Sequence, residues 1–310
     1  MAYRGELCAL LTAACWACSS TAFAYASRRA GSLAANHFRL VAAVPLLLLL
    51  AWLSTGSAWP ATAADDRMLL LVASGLVGLV LGDIGLFHAL AVLGPRVSSV
   101  VMAGWPAVTV AIEAARGHAP TPLVVLGVLV TIAGVVLVLL RSRGSTAWNP
   151  GLTARTWTTG LLGALLGAVG QAGGFVLVRE GMAPGADFPG GLDPLLATVV
   201  RMTTGVVGVQ LVLVAQRQPF ALARVARDRH SLLPALLGAL FGPVLGVWLS
   251  TVAAREAHDL GVASSLMATT PIFLMPIAAW TYGARIGWLG LFGTVLAVAG
   301  AVLSSLAGHR

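Results

Sequence analysis

Asp83 is the acidic residue hardest to reconcile with its surroundings, since it lies about fifteen residues into the apolar run 68–92. A carboxylate that deep in an oily helix must face a polar hollow or sit against a cation. In the first case it could take up and release a proton, or bind a substrate amine. In the second it forms a buried ion pair, with Arg39 or Arg201 as the partner. Those two arginines stand near the starts of apolar runs. From there a guanidinium either extends to the interface or turns inward and grips a carboxylate. His88 follows Asp83 by five residues, roughly 140° around a helix at 100° per residue. It reads as a hydrogen-bonded structural histidine on a different face. Gln171 and Gln210 are neutral polar groups inside apolar runs and candidate substrate contacts. Trp16, Trp105, Trp248, Phe87 and Phe273 suit either an apolar cavity wall or plain packing, while Glu6 and Glu113 stand close enough to run ends to be solvated.

These residues do not assemble into an enzyme. No nucleophile is spaced with a base and an acid, and the six histidines are scattered. No glycine-rich phosphate loop of the Walker type is present. Cys8, Cys15 and Cys18 all fall in the first apolar run; Cys15 and Cys18 have zinc-like spacing but lack a second ligand pair, so they read as packing residues. Neither metal nor cofactor is expected.

The elements that hold these groups follow from composition. Hydrophobic residues make up 58% of the 310 positions and charged residues 10%, against about 25% charged in soluble domains. Lipid must therefore receive the apolar surface. All 19 basic residues are arginine and the net charge is +8, without the aromatic-basic patch expected for nucleic acid. About 20 apolar residues cross a bilayer as a helix, and ten runs meet that length: 6–27, 34–53, 68–92, 97–115, 121–140, 157–179, 193–215, 231–254, 261–282 and 286–307. The first ends near a small-x-small site, Ala24-Tyr25-Ala26, like that of a cleaved leader. Its length and Glu6 favour a retained crossing.

The two halves repeat one pattern. Ser74, Gly78 and Gly82 recur at every fourth position, as do Gly238, Gly242 and Gly246. Ser98 and Ser99 precede Pro106 as Ser264 and Ser265 precede Pro271; Gly127 and Gly134 match Gly293 and Gly300; Arg39 matches Arg201. The glycine ladders suit close helix packing. Pro106 and Pro271 suit kinked or locally opened helices beside a cavity. The pattern divides the chain into a first five-helix unit at 1–143, a linker at 144–156 and a second unit at 157–310. An odd number of crossings per unit inverts the second copy, an arrangement typical of secondary transporters. The fold expected is an all-α membrane protein of ten transmembrane helices in two inverted repeats.

With these features the chain resembles the drug/metabolite transporter superfamily, specifically its EamA-type members, across residues 5–307. Trp16 with Phe23 is similar to the family's first-helix tryptophan pattern, and Arg39 lies where its second helix begins with arginine. Ala89 to Ser99, Pro106, Gly127 and Gly134 resemble its third-to-fifth-helix signature. The glutamate usual before the fifth helix is replaced by His118 and Ala284. The resemblance implies a multi-pass plasma-membrane carrier, often an exporter of amino acids, metabolites or drugs, working by alternating access. Its partners would be a small-molecule substrate, the lipid bilayer and a coupling proton, without nucleic acid, as monomer or homodimer. A membrane-embedded ligand-binding scaffold or sensor is the alternative. The family precedent puts both termini in the cytoplasm. Arginine counting disagrees, with six on the side of the termini and eleven opposite.

Overall fold

The computed structural model describes residues 3–60, 66–117, 120–142, 148–185, 189–257, 260–282 and 287–306. His118, Ala284 and the start of the linker lie outside the described residues. The described chain is helical, because in lipid each backbone N–H and C=O must be satisfied within its own segment. The first half runs α1 (Arg4–Ala30), α2 (Ser32–Thr55), α3 (Asp66–Ser74), a π-helical segment π1 (Gly75–Gly82), α4 (Asp83–Val92), α5 (Gly94–Met102), α6 (Trp105–Ala115) and α7 (Pro122–Ser142). The second half runs α8 (Ala154–Gly181), α9 (Pro194–Ala215), α10 (Ala223–Arg227), α11 (Arg229–Ala239), π2 (Leu240–Val247), α12 (Trp248–Glu256), α13 (Leu260–Met267), α14 (Thr270–Tyr282) and α15 (Trp288–Leu306).

Seven helices among the described residues are long and apolar enough to cross a membrane, with shorter apolar stretches at Pro122–Val138 and Trp288–Leu303. The run expected at 97–115 is two short helices meeting at Ala103–Gly104, so no single helix there has a full span. Two glycine-ladder segments read as α-helix in the sequence are π-helical, at corresponding places in the two halves. Between α1 and α2 stands only Gly31, at φ +97°, a conformation that suits a residue without Cβ.

Packing between the halves is reciprocal. The first helix of each half lies along the third of the other: α1 along α11, π2 and α12, and α8 along α3, π1 and α4. Likewise α2 packs on α9 and α7 on α15. The α7–α15 contact depends on the matched glycines. A Cβ on Gly134 would stand 2.3 Å from the Ala297 nitrogen, and one on Gly300 would stand 2.3 Å from the Thr131 nitrogen.

Polar contacts mark two ends of the bundle. At one, Arg29 donates to the Asp228 carboxylate at 2.8 and 3.3 Å, and Arg28 donates to the Trp148 carbonyl at 2.6 Å. At the other, Arg4 pairs with Glu256 at 3.3 Å, and Arg255 donates to the Leu192 and Gly190 carbonyls at 3.0 and 2.9 Å. There Arg67 also donates to the Glu180 carbonyl at 3.2 Å. Thus α1 runs from the Glu256 end to the Asp228 end, and α8, whose last turn meets Arg67, runs the opposite way.

Candidate functional site

Four residues of α1 begin the site. Trp16, Ser19, Ser20 and Phe23 follow helical spacing and share one face, and all four line a cavity of about 90 Å3. The serine hydroxyls donate back to the Trp16 carbonyl at 3.3 and 2.6 Å. Both aromatic rings are seated over the second-half ladder. A Cβ on Gly238 would lie 2.7 Å from the Phe23 ring, and one on Gly246 would lie 2.8 Å from the Trp16 ring. Small residues thus make room here for large rings of a neighbouring helix.

The charged wall comes from α2 and α4. Arg39 and Asp83, 5% and 9% exposed, form an ion pair. Arg39 Nε donates to Asn36 Oδ1 at 3.0 Å, and its guanidinium stands 4.9 Å from the Phe87 ring centroid and 5.7 Å from that of Phe23. Such contacts between a cation and an aromatic face stabilise a desolvated guanidinium. Asp83 is the first residue after π1, and its N–H donates to the Gly78 and Val80 carbonyls. A π segment turns the residues that follow it away from the direction α-periodicity would give. Phe87, four residues on, shares the Asp83 face and completes the arginine's enclosure.

Arg201 lies behind this wall rather than on it. It is 4% exposed, sits against π1 with a guanidinium nitrogen 3.4 Å from where a Gly78 Cβ would be, and its Nε lacks a hydrogen-bond partner among the described residues. It acts on Asp83 through its field. Among the described residues two buried guanidiniums and one carboxylate therefore gather around π1.

Two helix breaks supply the remaining wall. Ala103–Gly104 separates α5 from α6, and Ala268–Thr269 separates α13 from α14. Their turn bonds correspond: Gly104 N–H to Val101 O at 3.1 Å, and Thr269 N–H to Leu266 O at 3.2 Å. Pro106 and Pro271 are the second residues of α6 and α14. In the first helical turn a proline forfeits no bond of its own helix, and each one follows closely on a break in its run. The breaks carry Met102, Trp105, Met267, Thr270 and Pro271 to the cavity. Trp105 stands edge-on to Phe175 at 5.1 Å.

Of the candidate site and wall residues singled out in the sequence, Asp83, Arg39, Trp16, Phe87, Trp105, Gln171 and Pro271 line the cavity. His88 instead faces Thr159, 3.2 Å away on α8, and Gln210 donates to the Pro219 carbonyl at 3.3 Å. Phe273 is 39% exposed on the outer surface. In the register of the glycine ladders Asp83 matches Val247, the last residue of π2, and Trp248 is the first residue after that segment, so the acid has no acidic counterpart there. Sequence reasoning passed over Ser19, Ser20, Thr270 and Asn36. It also missed His37, which is 2% exposed and has neither ring nitrogen hydrogen-bonded among the described residues. The signal available was Asn36, His37 and Arg39 crowded into one turn of an otherwise apolar helix.

Comparison with solved structures finds 18 similar chains. One, described only as a crystal structure of a protein, superposes with a TM-score of 0.65 at 17% identity, over 100% of this chain and 99% of its own. At that identity the likeness shows the fold alone. A search of curated protein sequences finds no match. The EamA-like transporter family matches residues 3–140 and again residues 158–306. Two matches spanning both halves identify the chain as a member of the EamA-like transporter family.

Proposed function

We propose that this transporter is a secondary carrier that moves a small zwitterionic organic solute, such as an amino acid, across the plasma membrane by alternating access, in the export direction. One observation carries the reading: the Arg39–Asp83 ion pair stands buried on the wall of a cavity enclosed by helices of both halves. A buried pair is costly to separate unless each charge receives a replacement partner. A zwitterion provides both, its carboxylate taking Arg39 and its ammonium taking Asp83. Net charge inside the bundle is then unchanged by loading. A proton on Asp83 would release Arg39 in the unloaded carrier, which is the proposed route to proton coupling.

The cavity volume supports a small cargo. About 90 Å3 is well below the roughly 300 Å3 at which drug-sized pockets begin. The antiparallel courses of α1 and α8 and the matched π segments favour two inverted five-helix repeats with ten crossings, rocking about a shared site.

The test is counterflow. Proteoliposomes preloaded with unlabelled amino acids should accumulate labelled ones, and Asp83→Asn should abolish accumulation. Saturable binding without counterflow would instead indicate a ligand-binding scaffold. Unchanged flux and pH dependence in Asp83→Asn would remove Asp83 from the mechanism.

A further inference from the structure

The face of α1 turned away from the cavity borders a second, larger hollow. Cys18, Ala22, Tyr25 and Arg28 centre roughly 150° around α1 from Trp16, Ser19 and Phe23, and they line an open groove of about 1170 Å3. Its other walls are α11 with the start of π2, and α14. Along these walls Leu233, Leu237, Phe241 and Ile277 make an apolar trough, and Leu233 and Leu237 are 62% and 49% exposed. Such a surface on the flank of a membrane bundle meets acyl chains rather than water.

At the Asp228 end the trough changes character. Arg28, Arg29, Arg229 and His230 form its rim. Arg29 is neutralised by Asp228. Arg28 is held by the Trp148 carbonyl and ring, the latter 5.4 Å from its guanidinium carbon, and neither contact offsets its charge. Among the described residues no acid pairs with Arg28 or Arg229. Trp280, 89% exposed, and Tyr25, 41% exposed, stand at the same level. Tryptophan and tyrosine collect at the headgroup layer, so the uncompensated arginines share that layer. The charge of the whole end agrees: Arg217, Arg224 and Arg227 lie in the adjoining connection between α9 and α11, and Asp228 is the one acid there.

We propose that this groove is a binding site for an anionic phospholipid. Its phosphodiester lies between Arg28 and Arg229, and an acyl chain runs along Leu233, Leu237, Phe241 and Ile277. Apolar walls continuous with a basic rim match both parts of such a molecule. A free phosphate would use only the rim, and a zwitterionic lipid would leave the rim's charge unanswered. The groove lies between α1 of the first half and α11 and α14 of the second, so an occupant touches both.

The test uses the intact protein in phosphatidylcholine nanodiscs, titrated with phosphatidylglycerol brominated on its acyl chains, which quenches nearby tryptophan. Quenching should reach its midpoint at a several-fold lower mole fraction of brominated phosphatidylglycerol than of brominated phosphatidylcholine. Trp280→Phe should remove much of the high-affinity quench. Arg229→Gln, which replaces an exposed residue and leaves folding intact, should raise the midpoint about fivefold, and Arg28→Gln with Arg229→Gln should raise it further. Equal midpoints for the two lipids would overturn the proposal, as would a preference that survives both substitutions. So would displacement by millimolar inorganic phosphate, which would assign the rim to a soluble anion.

Discussion

Gly82 and Gly170 meet backbone to backbone where π1 crosses α8, one residue before Asp83. A Cβ added to Gly170 would lie 2.4 Å from the Gly82 Cα and 2.7 Å from the Val77 carbonyl oxygen. Neither obstacle is a flexible side chain. Gly170→Ala must therefore push α8 from the π segment, and the shift passes to the carboxylate that follows Gly82. Overpacking of this kind costs about 1–3 kcal/mol. We expect a lower melting temperature in detergent and reduced transport. Gly151→Ala, which meets nothing within 4 Å, should leave both near wild type. An unchanged melting temperature in Gly170→Ala would mean the two helices are not held in contact.

The Arg39–Asp83 pair can be tested apart from transport. Asp83→Asn leaves a buried guanidinium without its countercharge beside a second one, and loss of one partner of a buried pair costs roughly 3–5 kcal/mol. Asp83→Leu and Arg39→Met should each lower the melting temperature. The double substitution should be more stable than the sum of the single losses, because it removes the stranded charge, yet it should carry nothing. Simple additivity of the two would deny the coupling seen between these side chains.

Part of this site was legible because lipid makes charge conspicuous. Asp83, Arg39 and Arg201 stand out in runs otherwise composed of leucine, valine, alanine and glycine, and the structure gathers all three around π1. The paired prolines likewise marked the helix breaks, although the break itself lies two residues earlier in each half. The π segments were not legible, since a ladder of small residues at every fourth position reads the same whether the local turn is α or π. Asn36 and His37 were overlooked because polar residues near a helix start are ordinarily solvated, whereas here α2 begins one residue after α1 ends and its first turns are already buried.

At the Asp228 end, acid should loosen the attachment of α1 to α11. Hydrogen bonds from the Arg29 guanidinium, then from the Ser231 hydroxyl and the His230 N–H, hold the Asp228 carboxyl well below the usual carboxylate range. A carboxyl whose folded pKa is depressed contributes stability that is fully present above its unfolded value, about 3.9. That contribution is lost as pH falls from there through the folded value. Melting temperature measured from pH 6 down to pH 2 should therefore fall less steeply in Asp228→Asn than in wild type. Identical slopes would show that the Arg29 contact does not persist in solution.

The same end also bears on orientation. Arg217, Arg224, Arg227 and Arg229 cluster around Asp228, whereas Glu6, Asp66, Glu180, Asp193 and Glu256 lie toward the opposite end. Arginine retained near the ends of crossings favours the cytoplasmic side, and on that rule alone the expected arrangement has Gln216 inside and Tyr3 outside, the reverse of the family precedent. In a chain with Cys8, Cys15 and Cys18 replaced by alanine, Gln216→Cys should react with a membrane-impermeant maleimide only after the cells are permeabilised. Tyr3→Cys should react in intact cells. Labelling of Gln216→Cys in intact cells and protection of Tyr3→Cys would place the N-terminus in the cytoplasm, and the basic groove would then face the outer leaflet.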